Sequence, residues 1–321
     1  MAVLLIGVGY IGSQIAVALL ERGEEVVAID NFFSTDSKAV RRLSKNPGFH
    51  LIRGDVADPR TLDKVFSAGV ALTVVYHLAA QSSAHPDAAT PDYTERTNLR
   101  APRLLLDAML AHGVSTLVFG SALKVCGDAL PPLVTESTPY GVFHDLSHLS
   151  KCYVEKLMEM YADIHGVRCI AVRLGICYGV SPVMKQDPKF MTVVNKFCRQ
   201  AVCGQPLAVS RSGLLPQGFI HVEDAAAALI QAAEARDLQG FAPVNAASEV
   251  ESVLEVAQMV GAAAARRGIA VEVVTEASAV ETKARPQVSS RFEFQFRHNL
   301  EYGIRELLVY WEKVAGRCAW S

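Results

Sequence analysis

The chain has 321 residues, half of them apolar and a fifth charged, with a formal net charge of −2. A near-neutral balance without a basic run argues against nucleic acid or an anionic membrane surface as a partner, and no apolar stretch is long enough to span a bilayer. The length suits one large domain or two small ones with ample core.

The first apolar run, residues 2–6, enters Gly7-Val8-Gly9-Tyr10-Ile11-Gly12, and an amphipathic stretch follows to Arg22. The next apolar run, from Glu25, closes on Asp30. Strand, glycine turn, helix and an acid about twenty residues on describe a dinucleotide pocket. Gly7 makes the tight turn, Gly9 lets backbone approach a pyrophosphate, and Gly12 lets helix and strand pack closely. Asp30 is placed to accept hydrogen bonds from both ribose hydroxyls and would repel a 2′-phosphate, which favours NAD over NADP.

Strands are predicted over 2–6, 25–30, 49–53, 72–77, 115–119 and 168–173, with helices near 10–22, 36–45, 59–67, 88–112 and 146–165 between them. This alternation predicts an α/β fold, a Rossmann-like doubly wound parallel sheet with ligands bound beyond the carboxyl ends of its strands. Past Gly179 the pattern loosens. A helix is expected near 189–203, a strand at 218–222, helices at 223–236, 252–267 and 298–315, and a strand at 269–275. Residues 1–178, completed by about 219–246, are read as the NAD-binding domain. Segments 179–218 and 247–321 are read as a smaller, interleaved substrate domain.

Seven cysteines without a Cys-x-x-Cys pair fit reduced thiols better than a disulfide framework or a zinc site, and no metal ligand set is read. Met1 leads directly into a core strand, which argues against a signal peptide. A cytoplasmic protein is expected, and the excess of arginine over lysine hints at a GC-rich bacterial source.

Several strand-end motifs together resemble the extended short-chain dehydrogenase/reductase family, the NAD-dependent epimerases and dehydratases of nucleotide sugars. Gly9-Tyr10-Ile11-Gly12-Ser13 is similar to the family's glycine turn, although Ile6 replaces its first glycine. Asp30-Asn31 matches the adenosine-ribose contact, and Gly54-Asp55-Val56 the segment meeting the adenine amino group. His77-Leu78-Ala79-Ala80-Gln81 resembles the strand under the cofactor, and Asn98 the asparagine on the next helix. Ser150-Lys151 with Glu155-Lys156-Leu157 resembles the active-site helix. Residues 148–151 and 195–201 look nearest to UDP-sulfoquinovose synthase and the tyvelose epimerases.

The resemblance implies oxidation of a sugar hydroxyl by NAD⁺ with a Tyr-x-x-x-Lys pair removing the proton, in which the lysine lowers the phenol pKa and binds the nicotinamide ribose. Lys151 is kept, but Ser147 stands where the tyrosine belongs and Ala122 where a hydroxyl residue belongs, with Ser121 one place early. Tyr153 lies about 200° around the helix from Lys151 and is a decoy. Candidate replacements for the proton-moving group are Ser147, Ser121, His144, His148 and Cys126. His144 would stand one turn before Ser147 if the helix starts early enough. Alternatively Asp145 caps the helix and the histidines are merely solvated. Ser82, Ser83 and Arg285 are expected on the substrate side. The diphosphate arginine of the family is replaced in Gln217-Gly218-Phe219, and its asparagine by Ile176.

Two readings follow: an atypical NAD-dependent epimerase, dehydratase or ketoreductase of a sugar or natural-product ketone, or a catalytically silent NAD(H)-binding partner protein. The resemblance also implies a homodimer formed through helices 88–112 and 146–165, for which Leu104, Leu105, Met109, Val154, Leu157 and Met158 are the available apolar positions, unless they form the sheet-facing stripe.

Overall fold

The computed structural model describes residues 2–83, 85, 87, 88, 90–275 and 285–318, with side chains to residue 315. Seven strands form the main sheet: β1 (Ala2–Ile6), β2 (Glu25–Asp30), β3 (Phe49–Arg53), β4 (Leu72–His77), β5 (Thr116–Ala122), β6 (Arg168–Leu174) and β7 (Phe241–Ala246). Their spatial order is β7-β6-β5-β4-β1-β2-β3, and every neighbouring pair is parallel. The order reverses between β1 and β4, and a crevice opens beyond the carboxyl ends of the strands at such a reversal.

Both faces are covered, which is why the strands read as continuous apolar runs. Val3 and Leu5 of β1 join one core with Ile15, Ala16 and Leu19 of helix Tyr10–Glu21, and with Ala225 and Leu229 of helix Val222–Glu234. Leu4 and Ile6 point to the other face, against Leu105, Met109, Val154 and Met158. This period-two split builds both layers from one five-residue strand. Helix Leu146–His165 is capped by the Asp145 carboxylate, which accepts the His148 N–H at 2.8 Å, and ends on Gly166 at φ 69°.

Several boundaries differ from expectation. The helix near 88–112 opens at Pro91, carries a π-type turn over Glu95–Arg100, and resumes as Ala101–Ala111. The helix near 189–203 is a single turn at Pro188–Phe190 followed by Val193–Val202. The strand at 269–275 is only Val273–Thr275. Beyond the main sheet, Ile176–Tyr178, Pro216–His221 and Glu249–Ser252 form a three-stranded sheet over the β6 and β7 end of the crevice.

The apolar positions considered for a homodimer contact face inward. Leu105, Met109, Val154, Leu157 and Met158 are buried in the chain's own core, and Leu104 packs against it. These residues form the core-facing stripe of the two helices. Among the described residues, no helix is long and apolar enough to cross a membrane.

Candidate active site

A cavity of about 500 Å³ runs along the carboxyl ends of the strands. At one end the chain turns so tightly that a Cβ on Gly7, at φ +91°, would lie 2.8 Å from the Ala79 nitrogen, and one on Gly12 would lie 1.9 Å from the Gly7 oxygen. Helix Tyr10–Glu21 therefore begins at the cavity wall with its first N–H groups free, an anion-binding end. Tyr10 lines the wall while its hydroxyl donates to the Gly179 carbonyl at 2.6 Å, and Ile11 lies beside it.

Asp30 closes β2 at this end. It is 7% exposed, and its carboxylate accepts from the Val8 N–H at 2.7 Å, the Phe32 N–H at 2.7 Å and the Thr35 hydroxyl at 3.2 Å. Burial pushes its pKa up, and the three donors pull against that rise. Asn31, Asp55 and Val56 share the wall. Asp55 accepts from the Ala57 N–H at 2.9 Å and pairs with Arg96. Leu78, Ala79 and Ala80 form the floor.

At the other end stands Lys151. Its ammonium donates to the Gly120 carbonyl at 2.8 Å and lies 4.5 Å from the centre of the Phe119 ring. Burial lowers its pKa to about 8, and Glu155 one turn along opposes that shift. His148 lines the cavity one turn earlier on the same helix, with Nδ1 2.5 Å from the Asp145 carboxylate. Asp145 thus serves twice, as helix cap and as the group that orients the imidazole. Beneath the floor His77 is buried, its pKa driven down to about 3 by desolvation and then by Lys151.

Other expected site residues are placed elsewhere. Helix 146–165 starts at Leu146, so His144 precedes it; its side chain is 75% exposed, 3.9 Å from Asp128 and outside the cavity lining. Ser147 also falls outside the lining and spends its hydroxyl proton on the Gln81 carbonyl at 3.1 Å. Ser121 reaches the cavity, but donates to the fully buried Glu155 at 2.6 Å. Cys126 is buried away from the lining, and desolvation raises its pKa, so it is no thiolate.

Asn98 likewise does not face the main cavity. It exchanges two 2.8 Å hydrogen bonds with the Gln81 backbone and donates to Ser150 at 2.9 Å, which pins the strand end under the cavity. Arg285 is exposed and paired with Glu251 and Glu255, away from the cavity. Ser82 and Ser83 do line the cavity, where Ser83 donates to the Lys189 carbonyl at 2.5 Å. Tyr153 is 41% exposed, as its helical angle predicts.

Two lysines and two aromatics are among the lining residues that gave no motif in the sequence. Lys185 lies on the wall with its pKa lowered by burial, 5.7 Å from the Phe190 ring centre. Lys189 is beside it, paired with Asp187 at 3.6 Å. Phe33, just past Asp30, stacks on Tyr93 at 4.1 Å across the cavity mouth. Lysines 124, 151, 185 and 189 and His148 line the cavity, and Asp30 and Asp55 are the carboxylates among its described lining residues. Sequence reading did not find Lys185 because nothing in its spacing ties it to the strand ends.

A cavity that joins a free helix N-terminus, a buried acid and a buried lysine has the components of a dinucleotide site. The chain is 30% identical over 261 residues to UDP-glucuronic acid decarboxylase 3 of Arabidopsis thaliana, spanning 79% of this chain and 71% of that one. It is 31% identical over 187 residues to UDP-glucose 4-epimerase of Erwinia amylovora, spanning 57% of this chain and only 55% of that protein.

Its fold matches UDP-glucuronic acid 4-epimerase of Bacillus cereus, solved with NAD, at TM-score 0.83 and 21% identity over the whole of both chains. It matches UDP-glucose 4-epimerase of Bifidobacterium longum, solved with NAD+ and UDP, at TM-score 0.82 and 20% identity over 99% of each. Residues 3–247 match the NAD dependent epimerase/dehydratase family, and the chain belongs to that family, with NAD as its cofactor.

Proposed function

We propose that this protein is an NAD-dependent enzyme that oxidises a hydroxyl of an anionic sugar substrate, of the nucleotide-sugar class, with the His148–Asp145 pair in place of the family's phenol. One observation carries the proposal. His148 and Lys151 stand one helical turn apart on the cavity wall, while the two tyrosines of the lining are otherwise engaged. Tyr10 donates to Gly179, and Tyr93 stacks on Phe33 at the Asp30 end.

The NAD residues are proposed as Gly9 and the N–H groups of the following helix for the pyrophosphate, Asp30 with Asn31 for the adenosine ribose, Asp55 with Val56 for the adenine, and Lys151 for the nicotinamide ribose. Bound NAD supplies an acceptor for hydride from the sugar carbon and can return it. The chain's own work is to move the hydroxyl proton. Asp145 holds Nδ1 of His148 as the N–H, which leaves Nε2 as the base; a positioned imidazole of this kind contributes about 10²–10⁴-fold. Lys151 adds a positive charge where the alkoxide develops, and the other lysines of the lining attract a phosphate or carboxylate.

The test is absorbance at 340 nm, with enzyme-bound NAD and UDP-glucose, UDP-galactose or UDP-glucuronate as probe, together with product analysis. A substrate-dependent change that His148→Ala abolishes supports the reading. Tight NAD binding with no change for any of them favours a second reading, a silent NAD(H)-binding partner protein. That reading draws on the commitment of the Ser147 and Ser121 hydroxyls to Gln81 and Glu155.

A further inference from the structure

We propose that His221, Glu223 and His298 form a binding site for one divalent transition-metal cation, zinc above all, separate from the cavity. One ligand atom of each residue lies within 4.8 Å of the other two, a spread that one ion at ordinary coordination distances can bridge. None of the three lines the active-site cavity.

The carboxylates behind the histidines decide the chemistry. Nδ1 of His298 faces Asp224 at 3.1 Å, and Asp224 is itself fixed by the backbone N–H groups of Arg297 and His298 at 3.0 and 2.9 Å. That bond leaves Nε2 of His298 as a lone pair, 3.5 Å from the Glu223 carboxylate. His221 is likewise backed by a carboxylate, but its other nitrogen caps the following helix, so an ion there takes the place of a long capping contact. Its Nε2 donates to Glu306 at 2.8 Å, and its Nδ1 accepts a long 3.3 Å contact from the Glu223 N–H. A carboxylate on one ring nitrogen fixes the tautomer and raises the basicity of the other, the arrangement that orients metal-bound histidines.

Charge and access agree with this assignment. Glu223, Asp224 and Glu306 surround the two rings, and among the described residues no lysine or arginine pairs with any of the three. Glu223 and Asp224 also offset the positive end of the helix they begin. His221 is fully buried while the Glu223 side chain is 44% exposed, so the site is fixed on one side and open to solvent on the other. Two imidazoles and one carboxylate leave a fourth position for water, a donor set suited to zinc.

A bound ion would tie strand Pro216–His221 and the helix after it to the segment leading into helix Leu300–Cys318. Glu306 of that last helix also accepts the Val180 N–H at 2.6 Å. The role is therefore a staple of the carboxyl-terminal segment.

The full chain, stripped with chelator, is titrated with zinc alone and with cobalt(II) by calorimetry, visible spectroscopy and thermal melting. The expected result is one equivalent bound, a higher Tm, and a cobalt spectrum without the intense bands of a thiolate ligand. Glu223→Gln, on the exposed side of the site, and His298→Ala should each weaken binding at least about tenfold. NAD affinity should stay unchanged in both, which also confirms that the variants fold. No saturable binding, or binding that survives both substitutions, overturns the proposal. So does an equivalent lost on Cys203→Ser, the exposed thiol.

Discussion

Nδ1 of His148 lies 2.5 Å from the Asp145 carboxylate, and the same carboxylate accepts the His148 backbone N–H at 2.8 Å. Cap and orienting group are one residue, so helix start and imidazole geometry are set together. Asparagine caps a helix nearly as well as aspartate but carries no charge to stabilise an imidazolium. Asp145→Asn should therefore keep the Tm within a few degrees and lower kcat. His148→Ala should lower kcat by about 10²–10⁴-fold and leave NAD affinity intact. Stopped-flow reduction of NAD with substrate checks both, and a His148→Ala enzyme with normal hydride transfer would remove the histidine from the mechanism.

Lys151 has opposite pH signatures in binding and in stability. Its folded pKa falls from 10.5 to about 8 through burial. Between those values the unfolded chain holds a proton that the folded chain does not, so this group's contribution to stability improves as pH rises from 8 toward 10.5. Its ammonium is lost over the lower part of the same window, so NAD affinity and turnover should decline above pH 8. Lys151→Met should flatten both trends, bind NAD more weakly, and be relatively more stable than the parent below pH 8. Parallel denaturation and NAD titrations from pH 7 to 10 decide it.

Lys185 is a cation in the cavity wall whose charge burial disfavours. A substrate anion beside it relieves that cost. Lys185→Met should raise KM for an acidic substrate about 30-fold, roughly 2 kcal/mol, with kcat and NAD affinity little changed. The salt dependence of kcat/KM should become shallower, because one phosphate- or carboxylate-facing charge is gone. An unaltered KM would show that the anion is held by other residues.

The sheet was legible because a doubly covered parallel strand has a plain signature, four to seven apolar residues ending at a turn. The cofactor end was legible for a related reason. The glycine turn and Asp30 stand close in sequence, and their spacing is dictated by one strand-turn-helix-strand unit. The substrate end was not. His148 and His144 look equivalent in sequence, and only the helix start at Leu146 separates them. Asn98 reads as a cofactor ligand until the π-type turn over Glu95–Arg100 aims it at Gln81. Arg285 reads as a phosphate ligand until Glu251 and Glu255 engage it. Lys185 acquires its place from chain packing alone.

Glu155 and Arg173 form a fully enclosed pair, 0% and 3% exposed, in which Arg173 spans both carboxylate oxygens and Ser121 and Tyr140 complete the donors. Removing one charge strands the other in a dry site. Glu155→Gln should cost about 3–5 kcal/mol. The double replacement Glu155→Leu with Arg173→Met should recover much of that loss, since no charge is then left buried. Urea denaturation of the parent, Glu155→Leu, Arg173→Met and the double variant gives the coupling energy, and additive single losses would contradict the pairing argument.

Gly9 and Gly12 flank the same helix start but should fail differently. A Cβ on Gly12 would fall 1.9 Å from the Gly7 carbonyl oxygen, which is backbone and cannot swing aside like a side chain. A Cβ on Gly9 would meet only the Thr35 hydroxyl at 3.4 Å, an ordinary contact, and the φ of Gly9, −75°, lies outside the left-handed region that favours glycine. Gly12→Ala should therefore lower the Tm and the yield of folded protein. Gly9→Ala should fold normally and lose NAD affinity by about tenfold or more, because its methyl occupies the space where a pyrophosphate approaches the backbone. Thermal melting and NAD titration of the two variants separate the cases. Normal NAD binding by Gly9→Ala would mean that the phosphates do not sit at this helix end.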